Sequence, residues 1–134
     1  WWIVYVLPEQ CEAACKNSLF QMRQVHQALG PDFERVGELI VSTRTTDADT
    51  ETWLQQEFSG ALRAQANAAR FDQSLSVAFP PSAIASDSGH LYLVDTMGAL
   101  FMHYPGYADE QESILKGRDL LKDLQRVLKV SKIG

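Results

Sequence analysis

The sequence predicts an α/β chain: a mixed central sheet with helices on both faces. Three observations carry that reading. The chain opens on an apolar, β-branched run that passes within a few residues into a helical period. A second apolar run follows that helix, so strand, helix and strand imply a parallel crossover. The chain closes on a hairpin pattern and a long amphipathic helix, which adds an antiparallel edge.

Trp1 to Leu7 (WWIVYVL) is aromatic and β-branched throughout, as in a strand buried on both faces, and Pro8 stops it. From Cys11 the period is helical. Cys15, Leu19, Met22 and Leu29 share one face, and Gly30-Pro31 supplies the stop. Arg35 to Thr43 reads as a second strand with Leu39-Ile40-Val41 at its core. Asp47 or Asp49 caps the next helix, on which Leu54, Phe58, Ala61 and Leu62 face one way. Gly60 weakens its middle, where it can break into two pieces, and Ala-rich sequence continues to about Ala69. Leu75, Val77 and Phe79 alternate as a short third strand, and Pro80-Pro81 imposes extended backbone. His90 to Val94 and Ala99 to Tyr104 pair as a hairpin about Asp95-Thr96-Met97-Gly98. Asp109 to Glu112 forms a capping box, and the last helix turns Ile114, Leu121, Leu124 and Leu128 inward. The thioredoxin architecture has this order, β-α-β-α-(β)-β-β-α, and other small α/β folds share parts of it.

At 134 residues the chain is expected to be one domain, 1–134. Its 46% hydrophobic and 22% charged residues exclude a disordered or collagen-like chain. A net charge of −5 without a Lys/Arg cluster argues against a nucleic-acid partner. The longest apolar run, Trp1 to Leu7, is far short of the roughly 20 residues of a membrane span. Its abrupt start, with no initiator Met, leads us to expect a trimmed fragment whose upstream part was removed. P-loop, GxGxxG, GxSxG and HExxH motifs are all absent, which removes the simple nucleotide, hydrolase and zinc-protease readings.

One motif carries chemistry. Cys11-Glu12-Ala13-Ala14-Cys15 is a C-x-x-x-C where the first strand gives way to a helix. Unpaired N–H groups and the helix dipole favour a thiolate there, while Glu9 and Glu12 oppose it. Two sulfurs one turn apart can converge on a soft ion such as Cu(I) or Zn(II). They can equally close a disulfide if Cys11 stands outside the helix. Two thiolates do not complete a zinc site, so further ligands must come from elsewhere. Packing as small buried hydrophobes is the plain alternative.

Among the histidines, His26 lies about 16 Å along the helix from Cys15 and reads as a packed or boundary residue. His103 shares a strand face with Phe101 and reads as structural or surface. His90 follows the Ser86-Asp87-Ser88-Gly89 loop, which a thioredoxin-like sheet brings next to the cysteines. It is the candidate third ligand. Asp47 and Asp49 follow the second strand, where open α/β sheets carry sites, with helix capping as the simpler role.

With these residues placed, the chain resembles the SCO/SenC family of thioredoxin-fold copper proteins. The resemblance rests on WWIVYVLP, on C-E-A-A-C with L-x-x-M-R in the helix after it, on LIVSTRTTDADTE and on H-L-Y-L-V-D-T-M-G. It covers most of the chain, and C-x-x-x-C plus the hairpin is its specific part. Ser88-Gly89 stand before His90, where ordinary thioredoxins carry a proline. The resemblance implies a membrane-tethered protein of the periplasm or intermembrane space that helps build the dinuclear copper site of cytochrome c oxidase, so that the given chain is expected to be a soluble fragment with an N-terminal anchor removed. It implies copper held by Cys11, Cys15 and a histidine, thiol–disulfide reductase activity in some members, and an oxidase subunit or another copper or thiol assembly protein as partner. This sequence departs from the pattern at the histidine. The family position falls on Asp87, and His90 is three residues away, up to ~10 Å of extended chain. Either the loop folds so that His90 or Asp87 reaches the thiols as third ligand or the copper site is incomplete, and Asp87 is a poor donor for Cu(I).

Three functions follow from these residues. The first is copper handling for oxidase assembly. The second is copper-free thiol–disulfide exchange, in which Cys11 attacks and Cys15 resolves. The third is a non-catalytic thioredoxin-like binding module.

Overall fold

The computed structural model describes residues 1–80 and 84–131. Five strands, β1 (Trp2–Val6), β2 (Gly37–Ser42), β3 (Leu62–Gln65), β4 (Leu91–Val94) and β5 (Leu100–Tyr104), form one sheet in the order β3-β2-β1-β4-β5. β1 is central. It runs parallel to β2, with Val4 opposite Leu39, and antiparallel to β4, with Val4 opposite Tyr92. β3 adds in parallel to β2, and β5 returns antiparallel to β4. The helices are α1 (Ala13–Gln27), α2 (Ala48–Glu57), α3 (Ala68–Ala78) and α4 (Glu110–Val130), with a 3-10 turn at Gly30–Arg35. The fold is thioredoxin-like, a mixed sheet with helices on both faces, as the sequence predicts.

Alternation along β1 separates two apolar layers. Ile3 and Tyr5 join Leu19, Met22, Leu54, Leu120 and Leu124 in the core beneath α1, α2 and α4. Val4 and Val6 face the other way, onto Leu75 and Tyr92, with Phe71 and Phe79 packed against them. Both faces of β1 are therefore covered, which explains the unbroken apolar run.

The ends of the elements have local causes. Asp47 Oδ1 accepts from the Thr50 N–H at 2.7 Å and starts α2, and Asp109 Oδ1 accepts from the Gln111 N–H at 2.9 Å and starts α4. α1 ends at Gln27, before the expected stop. Gly30, at φ +57°, then turns the chain into the 3-10 segment with Pro31 behind it.

Four expectations are corrected. The second helix breaks before Gly60, as that glycine allows, but the stretch beyond it is not a second helical piece. The helix ends at Glu57, and Leu62–Gln65 is the edge strand β3, whose side chains face largely outward. The alternation of Leu75, Val77 and Phe79 is not a strand. These residues lie on or just after α3, where Asn67 caps by accepting from the Arg70 N–H at 3.1 Å, and Phe71, Leu75 and Phe79 recur every four residues against the sheet. α4 keeps most of its expected face but not Ile114: Leu124 and Leu128 are buried and Leu121 packs against the core. It buries Ser113, Gly117, Leu120, Leu124 and Leu128, while Ile114 is 52% exposed. The cause is α1. Gln21 donates to the Ser113 carbonyl at 3.0 Å and lies over Gly117, where a Cβ would come within 3.0 Å of its amide. Finally, His103 and Phe101 do not share a face. The β4–β5 register shifts between Leu93 and Val94, so Phe101 packs on Trp1 while His103 meets Phe79 on the opposite side. The expected extended backbone at Pro81 lies outside the described residues.

Gly37 shows how tightly β1 and β2 approach. A Cβ there would stand 2.4 Å from the Trp2 ring. Gly37→Ala is expected to cost about 1–3 kcal/mol by overpacking, read as a lower urea midpoint at unchanged slope.

Candidate functional site

The site grows from the end of β1. The Leu7 N–H donates to the Val41 carbonyl at 2.8 Å, which ties the chain to the sheet just before it leaves for α1. Pro8 to Glu12 forms the connecting loop, and α1 begins at Ala13 with Glu12 as its N-cap. Cys11 thus stands one residue outside the helix cap and Cys15 sits in the first turn. Their Cα atoms are 5.1 Å apart and their sulfurs form a disulfide. Of the two sequence options for the pair, metal ligation or a disulfide, the second is the state present here.

The two sulfurs are not equivalent. Cys15 is 4% exposed and packs into the main core, whereas Cys11 is half-buried at its rim. A thiolate arriving from solvent therefore meets Cys11, with Cys15 as the leaving sulfur. The first-turn N–H groups and the positive end of the α1 dipole favour negative charge on that sulfur as it departs.

Cys11 opens into a crevice of about 280 Å³ that also takes in Glu12, Lys16, Asp47, Asp49 and Trp53. The polar loop after β2 thus does both things considered for it. Asp47 caps α2, and both aspartates line the crevice beside the disulfide. Hydrogen bonds from Thr50 hold the Asp47 carboxyl below its ordinary range. The Lys16 ammonium lies 5.4 Å from the centre of the Trp53 ring, and Arg44 approaches Glu9 at 3.4 Å on the loop. Trp53 is half-buried, packed against the main core while lining the crevice.

The histidines fall in two places. His26 is a packed residue, as expected. It is 6% exposed, its Nδ1 lies 2.6 Å from Glu38 and its Nε2 2.8 Å from the Phe33 carbonyl, and its ring stacks on Phe33. His90 precedes β4, with Nδ1 2.8 Å from Ser88 Oγ. Its ring stacks on Tyr92 and its centre lies 5.3 Å from that of His103. Burial, then the neighbouring His103, holds the His90 pKa below the ordinary histidine range. Asp87 is exposed in the preceding turn. Among the described residues no three His, Cys, Asp or Glu side chains are grouped to hold a metal ion. Neither candidate third ligand thus completes such a group with the cysteines. The pair itself, once reduced, is a soft two-thiolate set of the kind that selects Cu(I).

Residues 1–131 match the family described as transmembrane-like, thioredoxin-like, C-terminal domain. The chain belongs to this family. No curated protein matches the sequence. Among solved structures, this member of the family is similar to ScoI of Bradyrhizobium japonicum, determined with copper bound. The two share 17% identity over 87% of this chain and 83% of that one, at a TM-score of 0.52. It is also similar to an uncharacterized thioredoxin-like protein from Porphyromonas gingivalis, at 18% identity over 91% and 76% of the two chains and a TM-score of 0.51. At these identities the similarity establishes the thioredoxin-like fold shared with ScoI. No helix among the described residues is long and apolar enough to cross a membrane.

Proposed function

We propose that this domain is an SCO-type accessory of cytochrome c oxidase assembly that works by thiol–disulfide exchange at Cys11 and Cys15, with Cu(I) as the cargo of the reduced pair. The observation that carries the reading is the asymmetric disulfide: one sulfur at the rim of an open crevice, the other buried in the first turn of α1. The fold shared with copper-bound ScoI supports the copper part. The partner is an oxidase subunit or another copper or thiol assembly protein, met on the periplasmic side of the inner membrane by a tethered domain.

In the exchange, the Cys11 thiolate attacks a partner disulfide. A Cys11–partner bond forms and the partner's other sulfur leaves as a thiolate. The Cys15 thiolate then attacks Cys11 Sγ, closes the internal disulfide and releases the partner's second thiolate. Two electrons pass to the partner, and a dithiol donor restores the pair by the reverse steps.

The test is a Cu(I) competition titration of the fully reduced protein beside a glutathione redox titration, with Cys11→Ser and Cys15→Ser as controls. One copper per chain, lost in either variant, is the expected result, together with a reversible two-electron couple. A couple without copper retention would leave a copper-free oxidoreductase. The loss of both would leave a non-catalytic binding module and overturn the proposal.

A further inference from the structure

We propose that His90 and His103 form a two-imidazole site for a divalent transition-metal ion, of the Zn(II) or Cu(II) class, that does not use the cysteines.

The two histidines are thirteen positions apart in sequence, and the hairpin brings them together. Tyr92 lies opposite His103 across β4 and β5, and His90 is two residues before Tyr92, so all three side chains emerge on the α3 side of the sheet. The register shift at Leu93 and Val94 makes this possible by turning His103 away from the face that Phe101 occupies.

The spacing suits a shared ion. Metal–nitrogen bonds of about 2.0–2.1 Å at a tetrahedral angle place two imidazole centres about 5 Å apart. The observed separation is 5.3 Å, with the rings inclined at 51°. Parallel stacked rings would not aim two nitrogens at one point.

The hydrogen bonding also points to a missing partner. His103 Nδ1 is buried and has no hydrogen-bond partner among the described residues. A buried polar atom normally finds one, and a metal ion is a partner that protein donors and acceptors do not replace. His90 has its Nδ1 tied to Ser88 Oγ, the arrangement that fixes a ligand imidazole and leaves Nε2 to coordinate. With two protein ligands, water fills the remaining positions.

The experiment is a Zn(II) titration of the disulfide form, in which the sulfurs are unavailable, followed by the imidazole proton resonances. His26 is the internal control, since both its nitrogens are engaged within the fold. The expected result is one equivalent of Zn(II) that shifts His90 and His103 together and leaves His26 unmoved. Affinity should fall at least about tenfold in His90→Gln and again in His103→Gln. His90→Gln lies outside β4 and serves as the informative variant if His103→Gln unfolds. No shift, movement of one histidine alone, or binding unchanged in His90→Gln would overturn the proposal.

Discussion

Cys15→Ser is expected to turn a reversible exchange into a trapped covalent complex. Cys11 remains at the rim of its crevice, so its thiolate still attacks a partner disulfide. The resolving sulfur is gone, and with it an intramolecular step whose effective concentration no external thiol matches. Turnover should fall by at least about a hundredfold while a mixed disulfide accumulates. Cys11→Ser should be inactive without trapping, because the remaining sulfur is 4% exposed and packed against the core. Mass spectrometry under non-reducing conditions reads the difference. Equal trapping by both variants would show that Cys15 is reachable and remove the assigned roles. The variants must be compared with the reduced wild type. Closing a loop of sequence separation 4 contributes about 2 kcal/mol by chain entropy, which both variants lose.

The largest stability effect is expected at Leu120. It is fully buried between α4 and the sheet, in the cluster that holds Ile3, Tyr5 and Leu19. Leu120→Ala removes apolar contact and leaves a cavity that two helices and a sheet cannot collapse around. The expected cost is about 2–5 kcal/mol. Ile114→Ala is the comparison. Ile114 is an equally apolar residue of the same helix but 52% exposed, and its truncation should cost under about 1 kcal/mol. Equilibrium denaturation of the two variants measures both. Similar losses would mean that Ile114 is buried as the sequence suggests.

That pair shows where the sequence was legible. β1, α1 and the hairpin announce themselves because their burial is apolar and their ends carry Pro8, Asp95 and Gly98. On α4 only Ile114 is misplaced, because two of the buried positions are Ser113 and Gly117, small residues that admit Gln21 of α1. Counting hydrophobes places Leu124 and Leu128 rightly and adds Ile114 to them. β3 escapes because an edge strand has little to bury, with Leu62 57% exposed. Residues 75–79 mislead because Val77, apolar but 77% exposed, stands between the sheet-facing Leu75 and Phe79 and imitates a strand's alternation. The Asn67 cap and the spacing of four from Phe71 decide for the helix. The cysteine pair is legible because its chemistry is local. The histidine pair is not, because it depends on a one-residue bulge between strands.

The central place of β1 has a kinetic consequence. Within this sheet β1 is made before its neighbours and is followed soonest by β2, but its other edge is satisfied only by β4, with Trp2 opposite Val94. Until that late hairpin emerges, β1 presents an open row of backbone donors and acceptors, the kind of edge on which chains aggregate. Sheet closure must wait for a loop spanning most of the polypeptide, which slows folding relative to a helical bundle of the same size. A truncation before residue 91 would therefore yield an aggregation-prone chain even though both cysteines and the whole of α1 remain.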